Sequence, residues 1–433
     1  MSKQRHYYYI TGKNETTGAI EYMQRPLVCD DKFDQELVLL AFPIKMLEDI
    51  NPVLKNFKLR DDAAYFYSEC KEVVSVPEKH VNEKGEGKLT FMSYFHKFPD
   101  SVTNFFDDAI VVVILHPLGK INEQGLQDYN MIGYIHANII NFKDADGEIR
   151  HGYYYNVLRM SEATVGGEAI YRRKRIFTTM FSVLLDLVTV NDYHLVYANM
   201  GRENQGILDA LKMNSERTGK LYETFPMRNN THINLLFDSR SASKKLIDIS
   251  KDEKRLKEYY QKIAASRQNY VFNQMHSEEN FFNMVRRILG SSPTSKIYML
   301  PDANGNIAAA GFFINWADYL HLKLQNPKGF FKMLDNLQII DRILYMTLLV
   351  GDEKSVRQLT KGGAFRFRKE HGNLISILNA HEGDPHFEVK KSLIYDPFVY
   401  FAIYDRPEMF ERMKERSKDE HGNVRIFIDT PML

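Results

Sequence analysis

Between residues 109 and 237 the chain alternates apolar and amphipathic stretches in an order that few architectures satisfy. Residues 109–115 form an unbroken apolar run and read as a buried strand, 131–142 as a second strand and 152–160 as a third, with Asp144-Ala145-Asp146-Gly147 as the turn between the last two. Within 172–190, Ile176, Met180, Val183, Leu184, Leu187 and Val188 then recur at helical spacing. Residues 194–198 read as a short strand, 203–213 as a second helix and 233–237 as an apolar strand. The order β-β-β-α-β-α-β specifies a mixed sheet with helices laid against it, an α+β fold.

A chain of 433 residues is expected to hold two or three domains. The clearest boundary is the charge-rich segment 240–257, so the division is placed near residue 245, giving units 1–245 and 246–433. Ser250-Lys251-Asp252-Glu253 has the spacing of a capping box, and Leu256, Tyr259, Tyr260 and Ile263 follow at helical spacing. A further helix starts at an N-cap Ser277 and carries Phe281, Met284, Val285 and Ile288, with Gly290 past its end.

Farther on, 296–300 and 307–315 read as strands of a hairpin turned by Asp302-Ala303-Asn304-Gly305-Asn306. Strands at 319–324, 343–350 and 374–378 and helices at 329–337 and 353–361 complete the second unit. Sliding the halves by 148 residues lays Leu195-Val196-Tyr197 over Ile343-Leu344-Tyr345 and Leu211 over Leu359, which suggests two similar folds. In 1–105 only a Tyr-rich strand at 6–10 and a helix at 33–40 are read.

Composition excludes several partners. Lys and Arg number 57 against 56 Asp and Glu, so no electrostatic reason exists to expect nucleic acid or an anionic membrane. The longest apolar run, 109–115, is far short of the ~20 residues a membrane helix needs. Met1-Ser2-Lys3-Gln4-Arg5-His6-Tyr7 leads into no apolar core of a secretory signal, so a cytoplasmic location is expected. Cys29 and Cys70 cannot make a disulfide framework or a Cys-rich zinc site. His381-Glu382-Gly383-Asp384-Pro385-His386 lacks a helical metal spacing, and Gly85-Glu86-Gly87-Lys88 lacks the spacing of a phosphate loop, so no metal is expected.

One stretch carries chemistry. Tyr171-Arg172-Arg173-Lys174-Arg175-Ile176-Phe177 follows a strand and opens a helix, where backbone N–H groups and the helix dipole attract anions. A strand and then Arg202-Glu203-Asn204, opening another helix, come next. This run resembles the GNAT superfamily of acyl-CoA N-acyltransferases, whose signature is a strand, R/Q-x-x-G-x-G/A, a helix, a strand and an Asn near the next helix start. Arg172 stands at its first position and Asn204 at the last, while Arg175 and Phe177 fill the two glycine positions and Leu211 the place often held by a tyrosine acid. The resemblance covers 109–237 with a fainter echo over 296–378, in which Asp352 stands for Asn204 and Gly362-Gly363-Ala364-Phe365 for the glycine-aromatic end of the last helix.

The resemblance implies two GNAT-like mixed sheets flanked by helices, the second more degenerate, and an acetyl-CoA or longer acyl-CoA as acyl donor to a small-molecule or peptide amine. It implies that the amine attacks the thioester carbonyl directly, with a backbone N–H near Leu158 and Met160 polarising that carbonyl. Glu162 or Glu168 is the candidate base, and Arg172, Arg173, Lys174 and Arg175, with Asn204, the candidate cofactor-binding set. Tyr197 reads as core more readily than as an acid. Two alternatives stay open: a catalytically inactive GNAT-fold binding or scaffold protein, which Arg175, Phe177 and Leu211 favour, and a tandem transferase of aminoacyl or fatty-acyl groups working in the cleft between units.

Overall fold

The computed structural model describes residues 5–28, 36–46, 70–73, 91–96, 108–121, 127–160, 164–165, 168–169, 176–201, 205–233, 240–325, 342–380 and 394–427, with isolated positions at 49, 332, 333 and 336. The first half runs β1 (His6–Lys13), β2 (Ile20–Pro26), β3 (Val38–Pro43), β4 (Cys70–Val73), β5 (Phe91–His96), β6 (Ala109–Ile121), β7 (Gln127–Lys143) and β8 (Ile149–Met160). A small hairpin, β9 (Thr164–Val165) with β10 (Glu168–Ala169), leads to α1 (Ile176–Val190), β11 (Leu195–Gly201), α2 (Gln205–Arg217) and β12 (Leu221–Ile233). The second half runs α3 (Arg240–Lys245), β13 (Ile247–Asp248), α4 (Glu253–Arg267), α5 (Glu278–Ser291), β14 (Lys296–Pro301), β15 (Ile307–Asn315) and β16 (Leu320–Gln325). It ends with β17 (Ile343–Gly351), α6 (Glu353–His371), β18 (Ile375–Ala380), β19 (Ile394–Tyr404) and α7 (Pro407–Ser417).

The expected α+β architecture is present, its two mixed halves joined edge to edge. Fourteen strands pair in the order β13-β14-β15-β17-β18-β12-β19-β11-β8-β7-β6-β3-β1-β2. Outward from β12 and β19 the two sides match. β11 lies parallel to β8 as β18 lies parallel to β17, and beyond them β7, β6 and β3 answer to β15, β14 and β13 in antiparallel pairs. The two central strands are exchanged: β12, from the first half, pairs with β18, and β19, from the second half, pairs with β11. Pro226 lies just beyond the β18 ladder and Pro397 just beyond the β11 ladder, places where a missing N–H costs little.

This order pairs β17 with β8 and not with β11. The 148-residue overlay is corrected accordingly: both strands are followed by a helix and then by a parallel neighbour, a relation that sparse identity could not show. β16 leaves the main sheet and pairs with β5, itself joined to β4.

Helix α1 seats Met180, Phe181, Leu184 and Leu187 against β6, β7, β8 and β11, while α6 covers Leu344, Met346 and Leu378 in the second half. The opposite face holds α4, α7 and the buried segment around Phe272. The expected turns form as read. Gly147 (φ 90°) and Gly305 (φ 81°) take the left-handed conformation, and the carboxylates of Asp144 and Asp302 accept the N–H groups that follow them.

Four local expectations are corrected. Residues 38–43 are strand β3, not helix, because this continuous apolar run pairs with β1 and β6 and its composition shows no period to read. Asp252, not Ser250, caps α4; the Ser250 hydroxyl accepts the Ile297 N–H at 2.9 Å instead. Gly290 lies within the last turn of α5. Gly362 and Gly363 lie inside α6, which continues to a left-handed Gly372. The motifs at 85–88 and 381–386 and most of 329–337 lie outside the described residues.

Candidate functional site

The candidate site is built on β8. Gly152 faces Leu195 of β11, and a Cβ on it would lie 2.9 Å from the Leu195 carbonyl oxygen and 2.9 Å from its Cγ. Only glycine lets the two parallel strands approach this closely. Their ladder runs from Gly152 to Tyr154 against Leu195 to Tyr197 and stops there. On its other edge β8 stays with β7, but Ala137 faces Tyr155 while His136 faces Val157, so one extra residue is inserted. That bulge twists β8 away from β11. Beyond Tyr154 and Tyr197 the facing edges have no strand partner among the described residues, which leaves backbone donors and acceptors along both sides of a wedge.

Below the wedge runs a row of paired positions, Asn138, Tyr154, Tyr197 and Ala402, on the face away from α1. Tyr155, one residue on, points to the other face and meets Phe181 of α1 edge-on at 5.9 Å. The Tyr154 and Tyr197 rings lie 5.1 Å apart, and Phe272 stacks on Tyr197 at 5.3 Å. Gln274 donates to the Tyr197 hydroxyl at 2.5 Å. Burial pushes the phenols of Tyr154 and Tyr197 well above the ordinary tyrosine range. Tyr197 is a core phenol, as its sequence context indicated.

The second half repeats the construction and closes it. β17 carries one extra residue against β15 between Thr347 and Val350, with Leu348 at φ 53°. The carbonyls that the bulge turns out are taken from within: the Tyr259 hydroxyl donates to Leu348 O at 2.7 Å and Arg267 Nη2 to Leu349 O at 2.9 Å. Gly351, at φ 126°, would place a Cβ 2.5 Å from the Ala308 carbonyl oxygen. Asp352 then caps α6, accepting the Ser355 N–H at 3.0 Å. Hydrogen bonds from the Ser355 hydroxyl and N–H hold its carboxyl below the usual range, so a negative charge already occupies this helix start. Asp352 was matched to Asn204 in the sequence; it caps the counterpart of α1, not of α2.

In the first half the corresponding junction is long. β8 ends at Met160, the β9–β10 hairpin intervenes, and α1 begins at Ile176. Leu158 and Met160 lie on β8 beyond the bulge, opposite Ile135 and Gly133, and Glu168 opens β10 opposite Val165. Glu162, Arg172, Arg173, Lys174, Arg175 and Asn204 lie outside the described residues. α2 braces the start of α1 through Asn214, which donates to Thr178 O at 2.9 Å, and Arg217, which donates to Ser182 Oγ at 2.8 Å. Phe177 is half-buried against Phe181, and Leu211 is fully buried.

Sequence reasoning missed the polar pair on β7. His136 and Asn138 are both buried on the face of Tyr154, and the signal was His-Ala-Asn inside the otherwise apolar stretch 131–140. Among the described residues no group of acidic, His or Cys side chains could hold a metal ion, and no helix is long and apolar enough to cross a membrane.

No protein-family model and no curated protein matches the chain. Among solved structures it is similar to Saccharomyces cerevisiae N-myristoyltransferase with bound myristoyl-CoA, at 9% identity and TM-score 0.48 over 87% of this chain and 81% of that one. A tandem GNAT protein from the clavulanic acid biosynthesis pathway is similar at 12% identity and TM-score 0.42 over 85% and 99%. So is a GCN5-related N-acetyltransferase from Anabaena variabilis, at 13% identity and TM-score 0.36 over 67% and 62%.

Proposed function

We propose that the chain is a cytoplasmic, acyl-CoA-dependent N-acyltransferase that moves an acetyl or longer acyl group to an amine of a small molecule or peptide. The observation that carries the reading is the wedge between bulged β8 and β11, set before a helix start that the sequence precedes with four basic residues. Edges that lack strand partners suit an extended arm bearing amides, because each amide can pair as a strand residue would. Arg172, Arg173, Lys174 and Arg175 would hold the pyrophosphate by side chains where the GNAT signature uses glycine backbone, with Asn204 nearby. A β8 N–H near Leu158 and Met160 would polarise the thioester carbonyl, and Glu162 or Glu168 would take the amine proton through water.

The two units are 1–245 and 246–433 in this reading, and only the first holds the donor. Tyr259, Arg267 and Asp352 already fill the equivalent groups of the second. One observation favours the scaffold reading: Leu211 is core, so no acid stands seven residues after Asn204 to protonate a leaving thiolate.

Calorimetry against acetyl-CoA and free coenzyme A decides between the two. Micromolar binding of one molecule per chain, lost in an Arg172→Ala/Arg175→Ala variant, supports the transferase and makes a screen of amine acceptors worthwhile. No binding at concentrations where a millimolar affinity registers overturns it and leaves the scaffold.

A further inference from the structure

Asn138 is a buried carboxamide that the fold leaves unserved. It is fully buried, and among the described residues neither its amide nitrogen nor its amide oxygen has a hydrogen-bond partner. Native structures satisfy nearly all such groups, with protein, ordered water or ligand, so an orphaned carboxamide marks a place for a further partner. Its position says what. Asn138 pairs with Tyr154, the last residue of β8 still joined to β11, so it sits in the row at the closed end of the wedge.

The surroundings are polar as well as aromatic. Tyr154 is close enough to Tyr345 for the one phenol to disfavour ionisation of the other. Along the sheet, however, β8 and β17 are five strand spacings apart, about 24 Å. The twist of the sheet brings the two phenols nearer than that spacing. Tyr345 carries Trp316 stacked on it at 5.2 Å, and the indole Nε1 of Trp316 is likewise buried without a partner.

We propose that Asn138 selects the acyl group, and that this group carries a hydroxyl within a few bonds of the thioester carbonyl. The inference rests on the acyltransferase reading above. A donor entering from the α1 end of β8 leads with its acyl group, so that group is what reaches the row of Asn138 and Tyr154. A plain hydrocarbon there would leave the carboxamide unpaired, and an ammonium, which only donates, would leave its N–H groups unpaired. A hydroxyl both donates to Oδ1 and accepts from Nδ2. Sites that hydrogen-bond a ligand hydroxyl discriminate strongly against the analogue lacking it.

The test compares butyryl-CoA with 3-hydroxybutyryl-CoA in the full-length protein by calorimetry, with free coenzyme A as reference. Wild type is expected to bind the hydroxyacyl donor at least about tenfold more tightly, and Asn138→Leu to bring the two within about twofold while binding coenzyme A as before. Unliganded Asn138→Leu is expected to melt no lower than wild type, because an isosteric apolar group replaces an unpaired amide. Equal affinities in wild type, discrimination that survives the substitution, or a clearly lower melting temperature of the variant would each overturn the inference, the last by showing that the amide is satisfied in the folded protein. If wild type binds coenzyme A but does not discriminate, only this inference falls. If it binds neither thioester nor coenzyme A, the acyltransferase reading falls and takes this one with it.

Discussion

The seating of α6 on the second half of the sheet depends on Gly363, and a single methyl group tests it. A Cβ at this position would lie 2.2 Å from Cε1 of Phe313, 2.5 Å from Cζ and 2.8 Å from Cδ1. Phe313 has little room to retreat: it is fully buried, its ring lies 6.2 Å from that of Phe367 and 5.4 Å from that of Tyr298, and it shares its face of β15 with Gly311, where a Cβ would itself meet Leu349 Cδ2 at 2.5 Å. Gly363→Ala therefore overpacks a closed core, at a cost of roughly 3 kcal/mol, against which alanine's helix propensity returns about 1. A net loss of about 2 kcal/mol is expected. Gly290→Ala, in the last turn of α5, is the matched control. Nothing lies within 4 Å of its Cβ, so the same chemical change should stabilise by about 0.5–1 kcal/mol. Urea unfolding followed by the fluorescence of Trp316, the single tryptophan, reports both from the same half of the molecule. Opposite shifts of the midpoint are expected. A neutral or stabilising Gly363→Ala would refute the packing of α6 on Phe313 and with it the placement of Gly362 and Gly363 inside the helix.

Acid should weaken the first half through Asp144. Burial works to raise its pKa, but hydrogen bonds from Arg150 at 2.7 Å and from the N–H groups of Glu148 and Asp146 outweigh burial and hold the carboxyl below its ordinary value. A depressed folded-state pKa contributes stability that is present above about pH 4 and lost as pH falls through the folded value. Asp144→Asn should thus cost about 1–2 kcal/mol at neutral pH, with the gap to wild type closing below about pH 4 in thermal melts across pH; a gap that does not vary with pH contradicts the assignment. The exchanged strands give a second prediction. Residues 1–245 and 246–433 expressed separately should each lack a cooperative melting transition, while co-expression should yield a one-to-one complex. A monomeric 1–245 with a sharp transition of its own would contradict it.

The first-half meander and α1 were legible because their periodicities are long and bounded by turn residues, Asp144 to Gly147 above all. β12 was not. Leu-Tyr-Glu-Thr-Phe-Pro-Met-Arg-Asn-Asn carries neither alternation nor apolar continuity, yet this segment lies at the centre of the sheet, where its pairing with β18 and β19 decides the matter. Gly362-Gly363 was matched to the glycine-aromatic end of the last helix in the GNAT pattern. Here it answers to a Phe ring on β15, a contact no local window contains. The site divides in the same way. A basic run at a helix start can be read from spacing, whereas the wedge exists because the β8 bulge and the end of the β11 ladder coincide, a property of register between three strands. Asn138 left a trace in the sequence, a polar residue in an apolar strand, but its meaning depends on lying opposite Tyr154.

The two halves show why one would keep chemistry and the other would not. Both contain a strand with one inserted residue, a helix after it and a parallel strand beyond. In the second half the connection is a single tight step, Gly351 to Asp352, and two side chains of α4 take the carbonyls the bulge exposes. The carbonyls of Leu348 and Leu349 and the start of α6 are served by the protein itself, so a ligand would have to displace those bonds. In the first half fifteen residues separate Met160 from Ile176, against one between Gly351 and Glu353, and the facing edges of β8 and β11 end without strand partners among the described residues. The strand exchange adds the remaining constraint. Because β19 pairs with β11, the side of the wedge formed by β11 is held by a strand from the closed half. A closed second unit is therefore not redundant in this arrangement: its rigidity fixes the edge against which β8 diverges, and loosening it at Tyr259 or Arg267 would act on the first unit through β19 and not through any ligand of its own.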